Sequence, residues 1–448
     1  MIKKFECKMT QTQIIALGFL LVILTGTLLL MLPFATENGQ HTTFLTALFT
    51  ATSATCVTGL VVADTSIHWT MFGQAVILLM IQIGGLGFIT IGVVFAKLFH
   101  KQITLKVRGL LQESMNLSQM GGAVRLARRI LLGTLIMEGM GAILLSIRFI
   151  PEFGFGKGLL FGVFHSISAF CNAGFDLMGG SKGAYASFTA YSNDFLVNMV
   201  IMVLIVVGGI GFIVWDDIRK HKWHFKQYML HTKLVLTVTV VLIFGGTLLF
   251  WIFERNNLMA DMGVKETILT SMFSSVTART AGFNTIDTAG LSNSSKLLTM
   301  VLMFIGGSPG STAGGIKTTT VIVLLIYVFS NLRNERGSSV FNRSFEEDAI
   351  KKASNVMIIY LVLALVAIIA ICHIEPLAMD DVMFEVFSAI GTVGMSTGIT
   401  RDLSTLSRVI IILLMYCGRI GGLSFAMSFL EKKKTAPIRY PEEKVMIG

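Results

Sequence analysis

Residues 300–329 read MVLMFIGGSPGSTAGGIKTTTVIVLLIYVF. Both ends are apolar enough for a membrane helix, while the middle is Gly, Ser and Thr with one Pro and one Lys. Two readings compete. A phosphate-cradling loop needs G-x-x-x-x-G-K-[ST] between a strand and a helix, but here Ile316 separates Gly315 from Lys317. The alternative is a broken span. Residues 297–305 and 320–329 together make one crossing of about 20 residues, and those between are surplus to it. Pro309 has no backbone donor and the glycines favour non-helical dihedrals, so the helix is expected to break over 306–319.

Composition places that break in a bilayer. The chain has 448 residues, 53% hydrophobic and 14% charged, against about 25% charged in soluble domains. The start, MIKKFECKMT, runs straight into an apolar span without a small-residue cleavage site, so this span is expected to be retained. Apolar runs at about 11–33, 71–98, 130–150, 195–215, 233–253, 297–329, 354–374 and 408–430 predict eight crossings. Most lysines and arginines fall in the N-terminus, the loops near 97–129, 216–233 and 331–352, and the tail from 430. The positive-inside rule then puts both termini in the cytoplasm. The net charge of +10 is a topology signal and points to no nucleic acid. Lipid contact is a second use of these basic loops.

Weaker segments between the spans resemble one another: SATCVTGL (53–60), SAFCNAGF (168–175), VTARTAGF (276–283) and SAIGTVGM (388–395). Their glycines, Gly59, Gly174, Gly282 and Gly394, are 115, 108 and 112 residues apart. A second signature closes each unit: IGGLGF (83–88), VGGIGF (207–212), IGGSPG (305–310) and IGGLSF (420–425). Each unit reads as span, short half-helix, Gly-bearing loop, span. The half-helices, such as 42–54 and 382–390, are too short to cross at 1.5 Å per residue, so they must dip in and return. Irregular backbone at that depth is tolerated only around a watery cavity or inside protein. Each unit crosses twice, so all four share one orientation.

These features predict an all-α polytopic membrane protein: four pseudo-fourfold repeats, with eight transmembrane helices and four re-entrant pore helices, around one pore. The expected boundaries are 1–98, 99–232, 233–352 and 353–430, with 431–448 as a cytoplasmic tail. A dehydrated cation needs oxygens in place of its water, and backbone carbonyls supply them. Glycine adopts the left-handed dihedrals that aim carbonyls at an axis. The expected ion-binding residues are therefore Thr58 and Gly59, Ala173 and Gly174, Ala281 and Gly282, and Val393 and Gly394.

The fourfold pattern, RTAGFN at 279–284 and GSPGSTAGGIKTTT at 307–320 resemble the Trk/Ktr/HKT superfamily of potassium transport proteins over essentially the whole chain. With eight spans and no extra N-terminal hairpin, the chain is most similar to the bacterial Ktr membrane subunit. That resemblance implies potassium uptake, often stimulated by sodium, by a homodimer with one pore per chain. It also implies a cytosolic ring of nucleotide-binding regulatory subunits, docking on the basic cytoplasmic loops. The ending IRYPEEKVMIG is similar to a tail that folds back at the dimer interface in that family. In plant relatives a Ser at the first filter position accompanies sodium preference, so Gly59 points to potassium.

Within this reading the broken span is a gate that plugs the pore: Gly306, Gly307, Ser308, Pro309, Gly310, Ser311, Thr312, Ala313, Gly314, Gly315 and Lys317. Arg419, mid-span, costs about 2.5–3.5 kcal/mol to insert and is expected to face the pore and contact the loop through its carbonyls. It aligns with Gln82 when each is set just before its I-G-G triplet. Glu138 is the one acid of its span, expected either to pair with a buried basic residue or to make a helix-packing hydrogen bond. Arg279 is expected to brace its loop, and Cys56 and Cys171 to pack behind the filter. The five cysteines (Cys7, Cys56, Cys171, Cys372, Cys417) form no metal or disulfide spacing. No H-E-x-x-H or nucleophile–base grouping points to an enzyme, and no cofactor is expected beyond the transported potassium and an activating sodium. A sodium-coupled potassium symporter and a closed pseudo-pore stay open as alternatives.

Overall fold

A computed structural model describes residues 10–37, 39, 41–98, 103–114, 122–334 and 337–421, with 443 and 446. Among the described residues the regular structure is helical apart from a hairpin of two-residue strands, Ser339–Val340 with Arg343–Ser344. Among them four helices are long and apolar enough to cross a membrane: Gln11–Leu30, Ala123–Phe153, Leu230–Glu254 and Glu347–Ile374. Each presents an exposed apolar face, as at Leu21 and Leu28, Ile136 and Ile143, Val241 and Phe244, or Val366 and Ile369. Such faces suit lipid, since hydrocarbon imposes no penalty on them.

A short helix follows each long one: Phe44–Cys56, Phe155–Phe170, Val264–Thr277 and Met379–Gly391. Buried Ser and Thr are frequent along these helices. Several return their hydroxyls to backbone carbonyls, as Thr50 does to Thr46 and Ser274 to Thr270, while the buried hydroxyls of Thr52, Thr55 and Thr270 have no partner among the described residues.

The closing segments differ from the continuous spans expected. Met71–Leu86 stops at Gly87, Phe195–Gly209 just before Gly211, and Thr405–Ile420 at Gly421. These glycines share one backbone conformation, φ 81, 97 and 96° with ψ 128, 141 and 127°, which an L side chain rarely adopts. The chain resumes helix at Phe88–Leu98 and at Phe212–His221, the latter bent by 94°. In the third unit Asn293–Phe304 and Thr318–Leu332 flank residues 305–317. That break starts one residue earlier and ends two earlier than the sequence suggested, because Lys317 is already the N-cap and Thr318 and Thr319 are helical. The second half of the last closing segment, 422–430, and the tail 431–448 apart from positions 443 and 446 lie outside the described residues.

Each closing helix packs on the short helix of the next unit. Met71–Leu86 contacts Phe155–Phe170, Phe195–Gly209 contacts Val264–Thr277, Asn293–Phe304 contacts Met379–Gly391, and Thr405–Ile420 returns to Phe44–Cys56. The units therefore follow one another around a closed ring.

Candidate ion pathway

At the centre of that ring the four loops interlock. A β-carbon on Gly59 would lie 2.5 Å from the Ala173 carbonyl oxygen, and one on Gly174 would lie 2.5 Å from that of Ala281. One on Gly282 would collide with the Val393 oxygen, and one on Gly394 with the Thr58 oxygen. The sequence of contacts runs once around the ring and closes. Each glycine also has a left-handed φ, between 69 and 93°. Glycine is thus needed twice, for its dihedral and for the approach of a neighbouring main-chain oxygen.

A second left-handed residue stands two positions before each glycine: Val57 (φ 58°), Asn172 (59°), Thr280 (74°) and Thr392 (51°). Sequence reasoning missed these. Non-glycine residues in that region cost on the order of 1–3 kcal/mol each and persist where surroundings hold them. The holding bonds come from the short helices. Ser53 and Ser388 hydroxyls accept from the amides of Gly59 and Gly394, both at 3.1 Å. Ser168 and Thr277 instead donate to the carbonyls of Phe175 and Phe283, both at 2.7 Å. Asn172 and Thr280 are hydrogen-bonded to each other across two units at 3.2 Å.

All four glycines line one vestibule of about 470 Å³, with Asp64, Asp176, Asp287 and Arg401 on its walls. A separate cavity of about 610 Å³ is lined by Pro309, Gly310, Ser311, Ala313, Gly315, Lys317 and Arg419.

The 305–317 segment is tied to two other units through main-chain bonds. Ser308 N–H donates to Gly209 O at 3.0 Å, Thr312 N–H to Gly208 O at 3.3 Å, and Phe212 N–H to Gly310 O at 2.8 Å. Gly315 N–H donates to Gly418 O at 3.2 Å. Gly306 and Gly307 have no room for side chains, and Gly314 abuts Thr392 in the fourth unit's glycine loop. Ser308 meets the Thr318 hydroxyl at 3.1 Å. Lys317 folds its ammonium onto its own loop, donating to Ala313 O at 2.7 Å and Gly314 O at 3.2 Å.

Arg419 completes the cross-link. Its guanidinium donates to Thr312 O in the loop, and to Gly84 O at 2.5 Å and Gly85 O at 3.0 Å in the first unit. The expected carbonyl contacts are present, but the alignment with Gln82 is not. Gly84, Gly208 and Gly418 all press on the ends of their own short helices, at Thr55, Phe170 and Ile390. With Gly87, Gly211 and Gly421 also equivalent, Arg419 occupies the place of Gly85 and Gly209. The I-G-G triplet at 420–422 misled because the fourth unit's counterpart is the G-R-I-G of 418–421.

A family model described as TrkH, cation transport protein, matches residues 3–436. The chain belongs to the TrkH family of cation transport proteins. Its relatives include the potassium/sodium uptake protein NtpJ of Enterococcus hirae, 42% identical, with 100% of this chain and 99% of that protein covered. The Ktr system potassium uptake protein B of Bacillus subtilis is 41% identical over 98% of this chain and 97% of its own length. That of Vibrio alginolyticus is 36% identical, with 100% and 97% covered. The crystal structure of the potassium transporter TrkH from Vibrio parahaemolyticus shares the fold, with TM-score 0.70, 16% identity, and 92% and 84% coverage. This TrkH-family chain is a multi-pass membrane protein and a transporter, not an enzyme.

Other intramembrane charges of this TrkH-family chain are placed as follows. Of its two expected roles Glu138 has the helix-packing hydrogen bond and, among the described residues, no basic partner: it accepts from Gln82 Nε2 at 3.1 Å, and the Cys171 thiol lies 3.8 Å from its other oxygen. Gln82 belongs to the first unit's closing helix and Cys171 to the second unit's glycine loop, so the acid links two units of the ring. Cys56 and Cys171 are fully buried, as expected. Arg279 is buried and reaches Thr239 at 3.4 Å, tying its loop to the Leu230–Glu254 helix.

Proposed function

We propose that this chain carries potassium inward across the cytoplasmic membrane through a channel-like pore. The carbonyls of Thr58, Ala173, Ala281 and Val393 replace the ion's water shell, and Gly59, Gly174, Gly282 and Gly394 make their approach possible. The observation that carries this reading is the cyclic contact of each glycine with the next loop's carbonyl. A four-oxygen ring is a cation device, since oxygens present only their negative ends. The names of the relatives support potassium as its substrate.

The 305–317 segment acts as the gate, with Lys317 and Arg419 placing positive charge beneath the filter. Opening requires its bonds to Gly208, Gly209, Phe212, Gly418 and Arg419 to be exchanged. Both termini face the cytoplasm, the protein works as a homodimer, and a cytosolic nucleotide-binding partner shifts the gate. Sodium acts as an activator. The membrane potential drives uptake, about 2.3 kcal/mol per charge per 100 mV.

A sodium-coupled symporter on the same fold is the second reading, favoured by the relative described as a potassium/sodium uptake protein. Rubidium-86 uptake into liposomes holding the purified chain, with potassium or sodium as competitor, tests both. Uptake blocked by potassium and weakly by sodium supports the channel reading. Uptake that needs sodium in fixed stoichiometry supports the symporter. No uptake, even with residues 308–314 deleted, excludes a pore.

A further inference from the structure

The position three residues before the first residue of each repeated motif is Thr50, His165, Phe273 and Glu385. All four are buried, at 1%, 0%, 1% and 1% exposure. Two of them are ionisable, and these stand in the second and fourth units, diagonally opposite in the ring. No short pattern links a His to a Glu, so their equivalence emerges only from the repeat.

Both reach the chain just beyond their own filter glycine. His165 Nε2 accepts the Leu177 amide at 3.0 Å, three residues after Gly174. An acceptor nitrogen carries no proton, so Nδ1 holds it and donates to Phe161 O at 2.7 Å. The ring is enclosed by Phe149, Phe161, Phe164 and Phe188. Glu385 accepts from the Ser396 hydroxyl at 2.7 Å and from the Thr400 hydroxyl at 2.6 Å, two and six residues after Gly394. Ser396 also receives the Thr288 hydroxyl of the third unit at its carbonyl. By contrast, Thr50 bonds only its own helix, at Thr46 O, and Phe273 has no polar atom.

We infer that His165 and Glu385 are positioning residues that hold two opposite filter loops in register and so set ion discrimination. This rests on the reading of the glycine ring as the filter. The two loops they hold begin at the glycines themselves, so a slip there moves a carbonyl of the ring. Every loop has its Ser or Thr tie, from Ser53, Ser168, Thr277 or Ser388, but from the position of His165 and Glu385 the other two loops receive no side-chain bond, so the additional bracing lies on one diagonal.

The test is rubidium-86 uptake by the full chain in liposomes, scored as the ratio of potassium to sodium concentrations giving equal block. His165→Ala and Glu385→Ala are expected to lower discrimination about tenfold each, as loss of one ordinary to charge-assisted hydrogen bond would. Glu385→Gln, which keeps an acceptor and offers a donor to a rotatable hydroxyl, restores it, and Thr50→Ala leaves it unchanged. Thr400→Val and Ser396→Ala remove the loop's side of the brace and are expected to act like Glu385→Ala, which keeps the test decisive where the core variants do not fold. A wild type without discrimination removes the filter reading itself. A selective wild type whose His165, Ser396 and Thr400 variants stay selective overturns the braces alone, as does equal loss in Thr50→Ala.

Discussion

A side chain on Gly394 would collide with the main-chain oxygen of Thr58, from the opposite end of the sequence. The first and last loops are thus pressed together as closely as neighbours, and a ring with such a seam transmits strain from one loop to the next. Any β-carbon there must push the Thr58 carbonyl away and must also take φ near 93°.

Gly394→Ala and Gly59→Ser are therefore expected to relax potassium-over-sodium discrimination more than they lower total flux. A left-handed non-glycine residue costs on the order of 1–3 kcal/mol, so a change of about tenfold or more is expected. Competition of potassium and sodium against rubidium-86 uptake measures it. Unaltered discrimination in both variants would count against the ring as the filter.

Glu138 is expected to matter through its hydrogen bonds. Glu138→Ala strands Gln82 and opens a gap behind Cys171, at a cost of about 1–3 kcal/mol for the unmet group. Glu138→Gln keeps an acceptor for Gln82 and is expected to cost less. Thermal unfolding in detergent should rank wild type above Gln and Gln above Ala; equal stability of Ala and Gln would show that the bond to Gln82 contributes nothing.

Glu254 offers a test of the ring's outer edge that should leave ion choice alone. It is fully buried and accepts from the Ser292 amide at 2.9 Å, the Ser292 hydroxyl at 2.7 Å and Asn257 at 2.7 Å. It thereby caps the helix Asn293–Phe304 from the end of the preceding long helix. Hydrogen bonds to a charged acceptor contribute about 1.5–3 kcal/mol each. Glu254→Ala is expected to lower the melting temperature by several degrees, roughly as 2 kcal/mol would in a domain of this size, with potassium-over-sodium discrimination unchanged. A shift in discrimination would place this residue in the ion path.

The left-handed glycines Gly59, Gly174, Gly282 and Gly394 were legible because glycine is the cheapest answer to a left-handed φ, and four recur in register at a common spacing. Val57, Asn172, Thr280 and Thr392 were not legible, since a Val, an Asn and two Thr share that conformation only under tertiary restraint. The fourth closing signature was misplaced by three residues because a chance I-G-G overlapped the true G-R-I-G. Breaks at Gly87, Gly211 and Gly421 went unread for a related reason. Glycines within an apolar run are compatible with a continuous helix, since they also serve close helix packing, as Gly84, Gly208 and Gly418 do here. In the third unit Pro309 and the glycine pairs made the break explicit.

Arg419 stands where the first and second units have Gly85 and Gly209, whose added β-carbons would press on Cys171 and Asn172, so the fourth unit alone of these three puts a charge there. Its guanidinium engages three carbonyls from the loop and the first unit, which no single-point ammonium can reproduce. Arg419→Ala is expected to raise basal flux, because the positive charge and the tie to Thr312 are lost together. Arg419→Lys keeps the charge and loses the fork. If electrostatic repulsion holds the pore shut, Lys behaves as wild type; if the tie to Thr312 does, Lys leaks like Ala. Deleting residues 308–314 removes the loop that Arg419 grips, and flux should then be high; it is equal with Arg, Lys or Ala at 419 if the tie to Thr312 alone limits it, and higher with Ala if the charge does. Rubidium-86 uptake without any cytosolic partner reads all of these, and a low flux after the deletion, in folded protein, would mean that the loop shapes the cavity without gating it.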